Sequence, residues 1–207
     1  LSRRSAGPGQ PRERVRPEGR PVVARHEVDL HLIGEGRHEQ LWDVLGAHVR
    51  TDGEVSGTSF AVWAPNARGV RVVADFNGWN GHDHEMQNLG PSGVWELFVP
   101  DVGDGTRYKF EVHRVDGSWS LKADPLAFQA EVAPATASVV FTSRYEWADA
   151  EWMSARARTT TAHDRPMSIY EVHLGSWRRG RSYRDLAEEL TAYVLDAGFT
   201  PVELLPV

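Results

Sequence analysis

Cysteine is missing from the sequence altogether, and its absence excludes disulfide bonds and thiolate metal sites. Long apolar runs are missing as well, so no segment is expected to cross a membrane. The arginine-bearing N-terminus does not continue into the apolar stretch of a secretory signal. The net charge of -6 lacks the positive excess that nucleic-acid-binding proteins usually carry. These absences predict a cytoplasmic protein that has neither nucleic acid nor a membrane as its partner.

The composition that is present suits a globular protein with a core. Of the 207 residues 41% are hydrophobic and eight are tryptophan, so we expect one or two domains. Residues 1–25 differ, because arginines and prolines are interspersed there with almost nothing to bury, and they are predicted to be a disordered basic linker. Residues 26–50 are predicted to be a connecting helical segment. Its residues at helical spacing are Leu41, Val44, Leu45 and His48.

Residues 51–145 change to a period of two, which is typical of strands with one buried face. Each run stops near glycine, proline, asparagine or aspartate residues, which favour turns. Short strands at this spacing predict an antiparallel, immunoglobulin-like β-sandwich, followed by a linker at residues 146–165. The strand patterns are Thr58–Trp63, Val70–Phe76, Val94–Val99, Tyr108–Val112 and Trp119–Lys122.

Residues 166–207 show a third pattern. Met167–Leu174 and Val202–Val207 are mostly apolar without clean alternation, which is typical of strands covered on both faces. Between them Ser182 can cap the N-terminus of a helix, and Asp185 completes a capping box. Strand, helix and strand predict one parallel unit, which cannot close a barrel by itself, so we expect the start of a larger, truncated domain. The helix has its apolar stripe and its terminating glycine at Leu186, Leu190, Val194 and Gly198.

Several short motifs, in this order along the chain, resemble the glycogen (1,4-alpha-glucan) branching enzymes of the alpha-amylase superfamily. The resemblance covers residues 28–207. It implies a mainly β fold: a β-sandwich carbohydrate-binding module followed by the first βαβ unit of a truncated (β/α)8 barrel. The motifs are Arg37–Ala47 before the module, Phe76–Trp79, Tyr108–Phe110 and Lys122–Pro125 within it, and Tyr170–Trp177 and Gly198–Pro206 in the first two barrel strands.

The resemblance also implies a reaction. Branching enzymes cleave an alpha-1,4 glucan and transfer the freed segment to a 6-hydroxyl, with retention through two carboxyl groups about 5 Å apart. A complete barrel of this type needs about 250 residues, and only two of its strands fit here. None of the family's three catalytic carboxylates has a counterpart, so we assign no catalytic residue and expect the chain alone to be inactive. No cofactor is expected.

The candidate sugar-binding residues are Trp79, Lys109 and Trp119. They resemble the residues that hold glucan in the glycogen-binding module of the AMP-activated kinase beta subunit. A tryptophan ring offers a flat apolar surface that matches the C–H face of a sugar. A strict two-residue hairpin at Asp116–Gly117 would pair Trp119 with Arg114 and turn it away from Lys109. Either a wider loop or a bulge restores the alignment, or Trp119 is not a ligand, and the sequence leaves both possibilities open. It also leaves open whether Trp79 is a sugar platform or a structural corner residue.

Other prominent residues are given structural roles. The run His82–Glu85 looks like a metal cluster, but adjacent loop residues rarely converge on one ion, and no metal site is expected. His173 is expected to be a hydrogen-bonded structural histidine, and Glu203 to be buried and paired. Core positions are expected for Trp63, Trp95 and Trp177.

Two other functions share parts of these patterns. A non-catalytic glycogen-binding or regulatory module would have the sandwich but no use for the parallel strand–helix–strand unit. An isoamylase-type debranching enzyme or a trehalose-releasing hydrolase would have both. The Tyr170–Trp177 motif and the segment around Leu41 are more similar to branching enzymes.

Overall fold

The computed structural model of the protein describes residues 23–158 and 166–206. They divide into two compact units, the first ending at Arg144 and the second beginning at Tyr145. The predicted linker at residues 1–25 lies outside the described residues except for its last three, which already belong to a helix. The mainly β fold predicted for the chain is confirmed in the first unit, where all paired strands are antiparallel.

The first sheet of this unit has four strands in the order β1-β2-β5-β4. A register in which Gly46 faces Ala61 joins β1 to β2, and Phe60 faces Leu97 across β2 and β5. The strands are β1 Gly46–Asp52, β2 Val55–Trp63, β4 Gln87–Asn88 and β5 Val94–Pro100.

The second sheet has five strands. Four of them follow the order β3-β6-β9-β8, and the fifth, β7, pairs with β6. The two strands β7 and β9 share one edge of β6, since β9 pairs with its beginning and β7 with its end. The strands are β3 Gly69–Ala74, β6 Arg107–His113, β7 Trp119–Lys122, β8 Gln129–Ala130 and β9 Ser138–Val139.

One hydrophobic core lies between the two sheets, as a β-sandwich requires. Alternate residues of each strand point into it, because side chains of a strand alternate between its two faces. Phe60 contacts Tyr108 with ring centroids 5.0 Å apart, and Tyr108 contacts Phe110 at 5.7 Å. The core is formed mainly by Phe60 and Val62 of β2, Val70, Val72 and Ala74 of β3, Trp95 and Val99 of β5, and Tyr108 and Phe110 of β6.

The helical segment predicted over 26–50 is correct only in part. A helix, α1 (Val23–Gly34), lies earlier than the predicted stripe, which instead contains a short 3-10 helix at Leu41–Asp43 and the start of β1. Gly46 has a φ of +101°, outside the right-handed helical region, so it cannot continue a helix. It pairs with Ala61 of β2 instead. The sandwich therefore begins at Gly46, before the predicted boundary at residue 51.

The apolar residues of that stripe are packed even though they are not helical. Leu41, Val44 and Leu45 join Ile33 of α1 in a second cluster. The cluster covers Ala61, on the side of β2 opposite to Phe60 and Val62, which explains why β2 is buried on both faces at this level.

The second unit contains the predicted strand, helix and parallel strand. Tyr170 faces Val202 in a parallel pair, joined through the long helix. The capping box of Ser182 and Asp185 is confirmed, and so are the buried stripe at Leu186, Leu190 and Val194 and the positive φ of Gly198. The elements are α2 Ala150–Arg158, β10 Tyr170–Val172, α3 Leu174–Trp177, α4 Tyr183–Asp196 and β11 Val202–Leu204.

Three details of this unit differ from the prediction. The linker predicted at residues 146–165 contains α2, which has Glu151 in its first turn and Arg156 in its last, as the helix dipole favours. The strand predicted to end at Leu174 ends at Val172, where α3 follows. The strand β11 is exposed throughout, including Glu203, because β10 is its one strand neighbour among the described residues. Among these residues, no helix is both long and apolar enough to span a bilayer.

Candidate functional site

The turn that presents Trp79 is built by the residues just before it. At the end of β3 a short 3-10 helix, Asp75–Asn77, is closed by the side chain of Asn77. Its Oδ1 accepts a hydrogen bond from the Ala74 N–H at 2.9 Å, and its Nδ2 donates one to the Val72 carbonyl at 2.9 Å. The preceding Phe76 packs against the core beside Phe60. The turn is therefore anchored on both sides, and the ring that follows it can stand out from the surface.

Trp79 itself has a strained backbone. Its φ is 62°, in the left-handed region, directly after Gly78 at 60°. A residue with a Cβ in this region costs of order 1 kcal/mol or more and persists only where its surroundings hold it. Here the Trp79 N–H donates to the Ala74 carbonyl at 3.0 Å, while 41% of the residue stays exposed. Trp79 is therefore an exposed aromatic residue that the turn holds in a strained conformation.

A charged cluster lies next to this turn. Arg107 of β6 donates to Asp75 from its backbone N–H, Nε and Nη2, each at 3.0 Å, and Nη1 lies 3.4 Å from Glu131. The hydrogen bonds from Arg107 hold the pKa of Asp75 below its ordinary value; partial burial opposes the shift, and a hydrogen bond from the Trp79 side chain adds to it. Asp75 is therefore ionised at neutral pH.

Lys109 lies on the same face of β6 as Arg107. Its neighbours Tyr108 and Phe110 point into the core, so Lys109 points outward, as its position in the alternation predicts. Its Nζ donates to Thr136 Oγ1 at 2.6 Å. We call this side of the second sheet, which carries Arg71, Arg107, Lys109 and Trp119, the outer face.

The hairpin before β7 decides the position of Trp119. Its loop is wider than two residues, because Arg114 N–H donates to the Ser118 carbonyl at 2.8 Å and Gly117 has a φ of +85°. Trp119 therefore pairs with His113 of β6. His113 lies two residues after Glu111 and four after Lys109, so all of them, together with Trp119, share the outer face. Of the two possibilities that the sequence left open, the wider loop is the correct one.

Trp119 is 38% exposed and has two ring contacts. The His113 ring is stacked on it with centroids 4.5 Å apart and an interplanar angle of 6°, and the Arg71 guanidinium carbon lies 4.0 Å from its ring centroid. Ala74, which receives the Trp79 N–H, faces Tyr108, while Trp119 faces His113. Five residues of β6 separate these levels, which corresponds to about 17 Å along the strand.

Three further tryptophans, Trp63, Trp95 and Trp177, were predicted to lie in the core, and they differ in burial. Trp95 is buried and donates to the Ala64 carbonyl at 3.0 Å. Trp177 is half-buried against Tyr170, whose hydroxyl accepts from its Nε1 at 3.0 Å. Trp63 is 54% exposed and the prediction for it is wrong, because it occupies the side of β2 opposite to Val62 and its Nε1 reaches only the Ser92 carbonyl.

The histidine-rich run at His82–Glu85 is arranged as a turn. His84 packs on Phe76 with centroids 5.0 Å apart, and its Nδ1 is buried without a hydrogen-bond partner. Glu85 is paired with Arg71. Within the part of the chain that the structure describes, no group of three or more metal-ligating side chains is close enough to hold an ion.

The residues of the second unit that drew attention in the sequence have local roles. His173 Nδ1 lies 2.7 Å from the Ser176 hydroxyl, so the expected hydrogen bond is present, although the histidine is exposed. Glu203, expected to be buried and paired, is exposed. Sequence reasoning missed Arg71 and Arg107, whose roles depend on partners far away in the chain. The alternation of β3 and β6 could have placed both on the outer face.

The sandwich also matches a known family of modules. Residues 44–127 match the model of carbohydrate-binding module 48, the isoamylase N-terminal domain. The match begins two residues before β1 and includes the Trp79 turn, β6 and β7. It therefore covers all three candidate residues, Trp79, Lys109 and Trp119.

Curated relatives extend the similarity into the second unit. The chain is 64% identical over 185 residues to the 1,4-alpha-glucan branching enzyme of Nocardia farcinica, covering 87% of this chain and 25% of that protein. It is 64% identical over 186 residues to a branching enzyme of Streptomyces coelicolor, covering 90% and 25%. The Mycobacterium tuberculosis enzyme is 61% identical over 185 residues, covering 87% and 25%. The chain thus spans about a quarter of the length of the curated relatives it matches.

A solved structure supports the fold alone. It belongs to a protein from Salmonella typhimurium that is assigned as an alpha amylase, with a TM-score of 0.59 and 24% sequence identity. The superposition covers 79% of this chain and 25% of that one.

Proposed function

We propose that this chain belongs to the family of 1,4-alpha-glucan branching enzymes and serves glycogen biosynthesis. In the proposed reaction an alpha-1,4 glucan is cleaved and its freed segment is joined to a 6-hydroxyl, by a retaining mechanism that needs two carboxyl groups about 5 Å apart. The observation that carries the proposal is 61–64% identity to enzymes of this name over nearly nine-tenths of the chain. A cytoplasmic location, which suits a chain without cysteine, is part of the proposal.

The two units of this chain supply different parts of that function. The first unit supplies the glucan-binding residues: the exposed ring of Trp79 at its turn and, on the outer face, Lys109 as a hydrogen-bond donor and the part of the Trp119 ring that His113 and Arg71 leave uncovered. The second unit supplies the first two strands of a (β/α)8 barrel, represented by the parallel pair β10 and β11 and by α4. A purely regulatory glycogen-binding module would not need this parallel unit, and we do not adopt that alternative.

We expect the 207 residues alone to bind glycogen with little dependence on salt. Stacking of a sugar on a tryptophan is not ionic, so it is not screened as charge pairs are. Co-sedimentation with glycogen, compared at low and high ionic strength, measures this. Binding that disappears at high salt would show that the charged groups, and not the rings, hold the glucan, and a chain that does not bind would contradict the binding site.

We also expect the 207 residues alone to have no branching activity. None of them corresponds to the three catalytic carboxylates of the family, and without those groups neither cleavage nor transfer can proceed. The iodine–glucan absorbance assay, with a full-length relative such as the Nocardia farcinica enzyme as positive control, measures this. A fall in absorbance produced by the chain alone would contradict the expectation.

A further inference from the structure

The turn around Trp79 contains two asparagine–glycine pairs, Asn77–Gly78 and Asn80–Gly81. In such a pair the glycine nitrogen can attack the amide carbon of the asparagine side chain, because glycine has no Cβ that obstructs the approach. The new N–C bond closes a succinimide ring, and the side-chain nitrogen leaves as ammonia with the proton of the glycine N–H. Water then opens the ring at either carbonyl. Opening at the side-chain carbonyl gives aspartate, and opening at the main-chain carbonyl gives isoaspartate, whose main chain is one carbon longer.

The first pair is held out of this reaction by its hydrogen bonds. The Asn77 side chain is bound at both ends, since its Oδ1 accepts from the Ala74 N–H and its Nδ2 donates to the Val72 carbonyl, each at 2.9 Å. The attacking group is bound as well, because the Gly78 N–H donates to the Asp75 carbonyl at 3.4 Å. Attack within this pair would require these bonds to open first, which makes the reactive arrangement rarer in the folded chain.

The second pair is arranged differently. Asn80 is exposed, and its Oδ1 accepts from the His82 N–H at 3.1 Å, which folds the side-chain amide toward the nitrogen of the intervening Gly81. Within the part of the chain that the structure describes, the Gly81 N–H has no hydrogen-bond partner. The amide oxygen gains negative charge when its carbon is attacked, so the bond from His82 favours the attack. Neither reacting group of this pair is therefore held away from the other.

We propose that Asn80 is a site of spontaneous modification, which converts to isoaspartate in the folded chain while Asn77 is preserved, and that the conversion loosens the loop after Trp79. Gly81 is buried, and a Cβ added there would lie 2.7 Å from the Arg71 Cβ and 3.1 Å from the Val73 Cγ1. A main chain that is one carbon longer before Gly81 displaces it from this close fit. The inference does not depend on the proposed function.

The test incubates the folded 207-residue chain in mildly alkaline buffer and locates each converted asparagine by tandem mass spectrometry of its peptides. Asn88 is the matched control, because it is exposed and its Oδ1 accepts from the Gly90 N–H at 2.9 Å, but the residue that follows it is Leu89. We expect Asn80 to convert at least about tenfold faster than Asn77, since a factor of ten corresponds to 1.4 kcal/mol. Asn88 should stay an amide.

The same incubation in guanidinium chloride removes the hydrogen bonds of the fold, so both asparagine–glycine pairs should then convert at similar rates. Enzymatic methylation of the free carboxyl group identifies the isoaspartate. Conversion of Asn77 as fast as that of Asn80 in the folded chain, or conversion of Asn80 in denaturant only, would overturn the inference. Aspartate at this position without isoaspartate would mean direct hydrolysis without a succinimide, and would overturn it as well.

Thermal unfolding tests the effect on the loop. Converted chain, enriched by anion exchange, should unfold about 4 °C below the Asn80→Asp variant, which gains the same charge but keeps a main chain of normal length. Equal unfolding temperatures would contradict the displacement of Gly81.

Discussion

Tyr108→Phe is expected to lower the free energy of unfolding by about 3 kcal/mol, although it removes a single oxygen atom. The Tyr108 hydroxyl donates to Asp124 Oδ2 at 2.5 Å, and both residues are buried. Asp124 also accepts from the Leu126 N–H at 2.8 Å, while its own N–H donates to Ser138. Phenylalanine fills nearly the same space, so the loss comes from a buried carboxyl oxygen left without its partner.

The deficit of Tyr108→Phe should grow as the pH rises. Burial raises the pKa of Asp124 above its ordinary value of 3.8, and the hydrogen bond from Tyr108 limits the rise. A raised folded-state pKa means that the stability contributed by Asp124 is fully present below about pH 3.8 and is lost as the pH passes through the folded value. Without the hydroxyl that folded value moves higher, so the loss extends over a wider range above pH 3.8.

Urea denaturation of wild type and variant, at acidic and at neutral pH, measures both effects. Tyr183→Phe is the matched control, because Tyr183 is exposed at the start of α4. Removing its hydroxyl does not leave a buried group without a hydrogen-bond donor. A variant as stable as wild type at neutral pH would show that Asp124 finds another donor. A deficit that shrinks as the pH rises would contradict the sign of the pKa argument.

Trp79→Ala is expected to weaken glycogen binding by about ten- to a hundredfold. Exposed aromatic anchors commonly contribute about 2 kcal/mol or more to a binding site, and 1.4 kcal/mol corresponds to a factor of ten. The change should leave the fold in place, because Asp75 keeps its hydrogen bonds to Arg107 and Asn77 still closes the turn. Alanine also has a Cβ, so the strain of the left-handed position is retained and does not confuse the comparison.

Affinity electrophoresis in gels containing glycogen measures the change, and thermal unfolding of each variant confirms that it is folded. The matched control is Trp42→Ala, since Trp42 is a tryptophan of the same unit that is also exposed but lies outside the outer face. Equal migration of Trp79→Ala and wild type would remove Trp79 from the proposed site. An equal loss in Trp42→Ala would show that the effect is not specific to the outer face.

Local patterns in the sequence were sufficient for elements whose signals lie close together in the chain. The capping box at Ser182 and Asp185 and the positive φ of Gly198 were predicted because each depends on a few adjacent residues. The outward position of Lys109 followed from the alternation of Tyr108 and Phe110. The helix predicted from the stripe at Leu41 to His48 is wrong, because residues at helical spacing can also be buried by a turn and a strand.

The sequence by itself determined that the chain has a mainly β first part, a parallel βαβ unit after it, and a likeness to branching enzymes carried by short motifs. Only the tertiary structure decided that Trp119 shares the outer face with Lys109, because the width of the hairpin at Arg114–Ser118 sets the register of β7. It alone joined Arg71 to Glu85 and Trp119, which lie 14 and 48 residues further along the chain. Such contacts arise from strand pairing and loop packing between distant segments, and no local period in the sequence encodes them.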